Sequence, residues 1–588
     1  MEQVQWLPAS ALKDSAFYPG FSPCTKTLPR GSIQKDGHLP LPCDILLEQD
    51  VEILMRDGAR LYADVYRPPK APPVSLPTVF AFTPFGKQGG PNRHNFDKRE
   101  WRCGVPRKAV SSLEVFEGPD PAYWCFHGYA IVAVDMRGTW NSDGNAVLPS
   151  AEQGQDGYDV VEWIVSRDWS NGRVTMSGNS FLAATQWFVG AEQPPHLTCL
   201  APWEGFSDVY NDQVRRGGIP DAGFASGLLQ GDLSGKNKVE DVLTTTEENP
   251  LWNTSWANRQ ARWENIKVPL YVVASWTNPL HCRGTLKAFE KSSSDYKWLR
   301  VHNSHEWPDL YQHQNVEDLR KFYDFFMKDD NNDWIYTPRV RLSVLNTGGH
   351  DIVNRPEASY PLTRQEAFKL FLDADSMSMR EAAPTEASKY VYDAVNESIS
   401  FNYKVPHAME LIGSSKIHIF VQADGSNDMD IFATLEKYNS DGELQKSTVI
   451  DVGWLADDPE KERKLLISTN KQNKDFCASY FSAGPSGCLR LSHRALDLEK
   501  STELQPVYTH AKEELLGQDE VVAADIEVWP YGWRFEAGET LRLTLSGFNR
   551  HPHLRPTDPK PISRNSGKHI LYTGGEKRSY ILLPLIKS

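Results

Sequence analysis

The chain has 588 residues, with 63 Lys+Arg against 77 Asp+Glu and a formal net charge of −14. That length predicts more than one domain, and 40% hydrophobic with 24% charged residues is ordinary globular composition. The acidic balance, without any Lys/Arg run, argues against nucleic acid or an anionic membrane as a partner.

The eight cysteines, at 24, 43, 103, 125, 199, 282, 477 and 488, are scattered. No CxxC and no zinc-like Cys/His spacing occurs, so no metal or organic cofactor is expected and reduced thiols in a cytoplasmic protein are the reading. The first twenty residues lack the basic start and apolar run of a signal peptide. No stretch approaches the ~20 apolar residues of a membrane helix.

In chain order, residues 1–45 are punctuated by Pro and Gly and read as an arm over the body, a surface through which a homodimer could form. Residues 46–350 form the first domain. VEILMRDGARLYADVYRP alternates around Asp57-Gly58 and predicts a hairpin. LPTVFAFTPFG and GYAIVAVDMRG predict buried strands, and 152–166 has the spacing of an amphipathic helix. RVTMSG (173–178) predicts a strand and 181–192 a helix. VPLYVVASW and YKWLRVHN predict further strands, and 316–328 another helix. Such alternation predicts a mostly parallel sheet covered by helices. Residues 206–265 break the rhythm and read as a helical cap insertion over the strand ends, where ligands bind. After a linker-like stretch, residues 365–588 carry about ten short strands and predict an all-β sandwich of jelly-roll type. KSTVIDVGWL is among those strands, and DDPEKERK (457–464) reads as a solvated loop.

Strand, Gly178-Asn179-Ser180 and helix in immediate succession is the pattern of a nucleophile elbow. Gly178 permits the tight approach, Ser180 stands at the apex, and the Phe181 amide points where an acyl oxyanion would form. The usual final glycine of G-x-S-x-G is replaced by Leu182, with Ala183 next. A serine nucleophile needs a base. His305, beyond the last strand of the first domain, is the expected one, with His302 at the strand end. Trp203, Trp276 and Trp307 are candidate apolar walls, and Glu204 and His281 candidate pocket residues.

On TPFGK (83–87), AVDMRGTWNSDG (133–144), SGNSFLAATQW (177–187), APWEGFSDVY (201–210), ASWTNPLHCRGTLKAF (274–289), HEWPDLY (305–311) and DIEVWPYGWRFEAGETLRLTLSG (525–547), the chain resembles the cocaine-esterase-like and Xaa-Pro dipeptidyl-peptidase-like serine hydrolases. The resemblance implies an α/β-hydrolase domain with a C-terminal jelly roll, Ser180 as nucleophile and His305 as base. It implies hydrolysis or acyl transfer on a small ester, amide or lactone through an acyl-enzyme.

Two positions depart from the family pattern. Asn278 stands where the family has its acid, a change that can cost ~10⁴ in kcat when uncompensated. Phe85 stands where the family has an oxyanion-stabilising tyrosine, a loss of roughly 10²–10³. Glu204, Glu306 and Asp309 are candidate substitutes for the acid, and a backbone amide near Phe85 for the phenol. The departures keep three other readings in play. One is a biosynthetic cyclase, lyase or retro-aldol enzyme using the base alone. The others are an Xaa-Pro dipeptidyl peptidase, for which no clear acidic anchor is visible, and a catalytically silent binding protein.

Overall fold

The computed structural model describes residues 4–15, 18–69, 75–88, 104–449, 481–550 and 559–587. The charged stretch 457–464 and most of the expected strand 446–455 lie outside them.

The first domain is built on an 11-stranded sheet. Its centre is parallel, running in the order Val340–Val344, Lys297–His302, Leu270–Ser275, Leu197–Trp203, Ser170–Asn179, Leu76–Thr83 and Ala130–Asp135. The predicted hairpin, Ile45–Leu54 with Arg60–Arg67, adds antiparallel strands at one edge, and Cys24–Leu28 of the arm pairs outside it. At the other edge Ile352–Glu357 pairs antiparallel with Val340–Val344, so part of the stretch read as a linker is a strand.

Both faces of the parallel strands are buried, as βαβ crossovers require. Val132 and Val134 join the core on one face, while Ile131 faces the other. The expected helices are present as Ala151–Val165, Ser180–Ala191 and His313–Met327. The first starts at Ser150, whose amide donates to Gln153 Oε1 at 3.2 Å, one half of a capping box.

Residues 206–265 connect Leu197–Trp203 to Leu270–Ser275 through short helical turns, the longest being Val242–Glu248. Their strand Lys238–Glu240 pairs with Trp6–Pro8 of the arm.

The second domain is a 12-stranded sheet from Gln365–Asp373 to Tyr580–Ile586. The long strand Met409–Asp424 pairs with Val522–Phe535 on one side and with Tyr580–Ile586 on the other, which closes the sheet on itself. The two domains are pressed together at Gly532. A Cβ there would lie 2.5 Å from Trp276 Nε1, and the Gly532 carbonyl accepts from the Leu345 amide.

Candidate active site

Strand Ser170–Asn179 and helix Ser180–Ala191 meet without a loop, and Ser180 takes φ = +56° to make the turn. That left-handed conformation is strained for serine and is held by the packing around it. The Ser180 amide donates to the Glu204 carbonyl, and the Asn179 amide to the Glu117 carbonyl, both at 2.9 Å. Gly178, at φ = +137°, leaves no room for a side chain, since a Cβ would stand 2.6 Å from Leu182 Cβ and 2.9 Å from the Glu117 carbonyl.

The departure from G-x-S-x-G has a packing reason. Leu182 fits because Gly178 and Gly118 are both bare beside it, while Gly205 presses on Ala183 and on the backbone of Ala184.

Ser180 Oγ lies 3.1 Å from His281 Nε2. His281 precedes the helix Cys282–Lys291, and its ring stacks on Phe206 at 5.9 Å between centroids. The contact with Ser180 that sequence reasoning gives to His305 is therefore made by a residue read as pocket lining. His305 instead begins the helix Glu306–Tyr311, where its Nδ1 accepts the Trp307 amide at 3.3 Å and its ring lies 4.5 Å from the Trp307 ring. Capping duty fixes that imidazole. Sequence spacing could not decide between two histidines on adjacent strand-end loops.

Asn278 sits at the hub of a buried polar chain. Its Oδ1 accepts the Leu280 and His281 amides and so shapes the turn that presents His281. Its Nδ2 donates to Glu204 Oε2 at 2.9 Å and to Glu306 Oε2 at 3.3 Å. Glu204 Oε1 meets His302 Nε2 at 2.6 Å, and Glu306 Oε2 lies 3.6 Å from His281 Nε2. The structure thus gathers Glu204 and Glu306, two of the proposed acid substitutes, around the asparagine. Asp309 is committed elsewhere, in a two-pronged pair with Arg300. Burial pushes its carboxyl up, but Arg300 and His302 overcome this and hold it below the usual carboxylate range. Burial raises the Glu204 carboxyl, against the pull of His302.

Burial, then Arg216 and His305, push His281 down to about 3, so its ring is neutral at physiological pH. Its Nδ1 is buried without a hydrogen-bond partner. A proton there would leave a buried donor unsatisfied, at a cost of about 1–3 kcal/mol. The favoured resting tautomer carries the proton on Nε2, between Ser180 and the Glu306 carboxylate.

On the oxyanion side, the Phe181 amide is in the first turn of its helix, where no intrahelical acceptor exists. Phe85 lacks a hydroxyl, and its own amide donates to Thr83 Oγ1, so that amide is not the replacement for the phenol. Its loop is anchored instead. Lys87 Nζ is enclosed by Asp50, Asp64 and Asp135, and the Lys87 amide donates to Asp135 Oδ1.

An aromatic arc runs past the elbow through Phe181, the residue after the serine. Trp307 meets Phe116, Phe116 meets Phe85, Phe85 meets Phe181 and Phe181 meets Phe206, at centroid distances of 5.3 to 6.4 Å. Phe116 and Phe206 were not singled out from sequence, because nothing in their local spacing separates a pocket phenylalanine from a core one. Trp203 is corrected from wall to core. Its ring is enclosed by Tyr271 and Arg300 and only 1% exposed. Trp276 is fixed at the domain junction by Nε1 donating to the Ser343 carbonyl.

Residues 57–239 match the model of the X-Pro dipeptidyl-peptidase S15 family, and residues 332–582 that of the X-Pro dipeptidyl-peptidase C-terminal non-catalytic domain. The chain is 32% identical over 161 residues to the cocaine esterase of Rhodococcus sp. (strain MB1 Bresler), covering 27% of this chain and 24% of that protein. It is 27% identical over 207 residues to a putative Xaa-Pro dipeptidyl-peptidase of Bacillus cereus, covering 32% and 33%. The matched stretches thus span about a quarter to a third of these curated relatives. A crystal structure of a CocE/NonD family hydrolase from Staphylococcus aureus superposes with a TM-score of 0.82 at 30% identity, over 99% of both chains. An α-amino acid ester hydrolase shares the fold, with a TM-score of 0.63 at 16% identity over 92% and 96%. With an α/β-hydrolase domain joined to a β-rich domain, and an end-to-end match to that hydrolase, the chain belongs to the CocE/NonD family.

Proposed function

We propose that this chain is a serine hydrolase that cleaves a carboxylic ester or amide of an apolar or aromatic small molecule through an acyl-enzyme on Ser180. The observation that carries the reading is the strained elbow at φ = +56° with an imidazole nitrogen 3.1 Å from the hydroxyl. Backbone strain of that kind gathers at active sites.

In this mechanism His281 first shifts to the tautomer with its proton on Nδ1. Ser180 Oγ then attacks the substrate carbonyl as His281 Nε2 takes the hydroxyl proton to give an imidazolium, and the Phe181 amide supports the oxyanion. The Glu306 carboxylate is placed to stabilise the imidazolium that forms. Water entering the same face then resolves the acyl-enzyme. A resting tautomer with Nε2 protonated slows the attack, so this site is expected to be a slower hydrolase than one with an aspartate on Nδ1. The aromatic arc favours an apolar acyl or alcohol group. In the same reading, residues 206–265 act as a cap over the strand ends and the closed β-domain is a jelly roll. Hydrolysis in the cytoplasm by a monomer or homodimer is part of the proposal.

Intact-mass analysis after exposure to a fluorophosphonate tests it. Wild type should gain one adduct, and Ser180→Ala none. His281→Ala should slow labelling by at least ~100-fold, and more than His305→Ala does. Equal labelling of Ser180→Ala and wild type would end the acyl-enzyme reading. A larger loss in His305→Ala would return the base role to His305.

A further inference from the structure

The segment that follows Trp203 and Glu204 runs through Asp212 and Gln213 to a turn at Arg216-Gly217-Gly218. It is tied to the His281 loop at several points. Gln213 Nε2 donates to the Leu280 carbonyl, Arg283 Nη1 donates to Asp212 Oδ1 at 2.7 Å, and a Cβ on Gly284 would strike Asp212 Oδ2. The turn is then pressed onto the second domain. A Cβ on Gly217 would lie 2.0 Å from the Cys488 carbonyl, and one on Gly218 2.5 Å from the His493 ring. Arg216 therefore stands at the domain junction, close enough to His281 to act on its charge.

Its guanidinium is placed with unusual economy. Nε donates to the Asp212 carbonyl at 2.9 Å, and the plane lies 4.4 Å from the Trp529 ring centroid. Nη2 is buried and has no hydrogen-bond partner. No carboxylate of the described residues pairs with it, whereas Arg283, lining the same cavity, is neutralised by Asp212 and Glu527. Arg215 next door spends its donors on the Thr246 and Gly218 carbonyls. A buried guanidinium nitrogen left unmet costs free energy, and a positioned anion would recover it.

The space beside Arg216 has the matching size. The cavity holds about 40 Å³, room for a carboxylate head or a few waters but not for a whole ligand. Trp529 also lines a second crevice of about 80 Å³ that includes Cys282 and Asn278, so its indole is the wall shared with the polar hub of the site. Asp221 lines the same cavity with its Oδ1 unpartnered, outside ion-pair distance of the guanidinium, and burial pushes its carboxyl up against the pull of Arg216.

We propose that Arg216, stacked on Trp529, is a specificity residue that binds an anionic group, a carboxylate, on the substrate of Ser180. The inference rests on the hydrolase reading for its catalytic part. It also disfavours a substrate with a free ammonium group at that end, and with it the dipeptidyl-peptidase activity. The carboxylate could belong to the acyl group or to the leaving group.

The test compares two matched ester pairs. Mono-4-nitrophenyl glutarate against 4-nitrophenyl pentanoate places the charge on the acyl side. Acetoxybenzoate against phenyl acetate places it on the leaving group. Wild type should prefer the charged member of one pair by about 10- to 100-fold in kcat/KM. In Arg216→Gln that ratio should collapse toward one through KM, and Arg216→Lys should recover part of it. Because each variant is scored by a ratio, partial misfolding cancels. Titration calorimetry with glutarate gives an independent reading, with binding to wild type and at least 10-fold weaker binding to Arg216→Gln. Ratios near one in wild type for both pairs, with no Arg216-dependent glutarate binding, would overturn the proposal. Glutarate binding lost in Arg216→Gln, in a protein that cleaves none of the esters, would keep the anion site and remove the hydrolase reading instead.

Discussion

At Asn278 the family acid has become an amide, and the structure gives that amide a use at both ends. Oδ1 holds the Leu280 and His281 amides, and Nδ2 bridges the carboxylates of Glu204 and Glu306. Reverting to the family residue therefore should not rebuild a triad. Asn278→Asp would replace a buried donor with a third carboxylate facing two others, and His281 Nδ1 would still lack a partner. Like charges at that distance raise one another's pKa and oppose folding. We expect Asn278→Asp to lose about 1–3 kcal/mol of stability by urea denaturation and to gain no esterase activity. A rise in kcat/KM at unchanged stability would mean that an aspartate here does orient the base, and that the amide bridge is incidental.

Among the elements, the Arg216-Gly217-Gly218 turn carries the junction between the domains. Gly217 has φ = +55° and faces the Cys488 carbonyl at a distance no Cβ tolerates, while Gly58 has φ = +86° in the hairpin turn with open space around it. Gly58→Ala should cost only the backbone strain, about 1–2 kcal/mol. Gly217→Ala adds displacement of the turn from the second domain and should cost at least twice as much, read as the difference in urea midpoint. Equal losses would mean that the junction yields easily and that Arg216 is not rigidly placed.

The same contrast explains what could be read from the sequence. Strands buried on both faces and the elbow were legible, because a short continuous apolar run and a Gly-x-Ser turn are local signals. Ser378–Arg380 and Ser388–Asp393 were not, because they are short and half exposed, with charged residues at the pairing positions. The identity of the serine's partner was also hidden. His281 and His305 lie on neighbouring loops, and only the capping bond at Trp307 and the Asn278 turn separate their roles. Arg216 had no local signal at all, since its stacking partner is 313 residues away in sequence.

Across the whole molecule, several histidines are folded away in the neutral form. His493 and His510 face each other, Nδ1 to Nδ1 at 3.0 Å, where the second domain meets Tyr210 and Asn211 of the first. Burial, followed by Arg215 for His493 and by its partner histidine for His510, holds both below the ordinary imidazole range. His569, between Tyr392 and Asn565 in the β-domain, is pushed down to about 4 by burial. Below pH 6.5 the unfolded chain binds protons that these folded rings refuse, so stability falls as pH drops toward 4. At pH 5 the loss for a histidine shifted as far as His569 is on the order of 2 kcal/mol. The melting temperature should therefore drop between pH 7 and pH 5. His569→Gln should flatten the fall by the share of that one ring, and His510→Asn should also change how the domains separate, seen as a split transition in calorimetry. If the pH dependence is the same in wild type and both variants, the neutral histidines do not set the acid limit, and the buried carboxylates around Lys87 become the group to titrate.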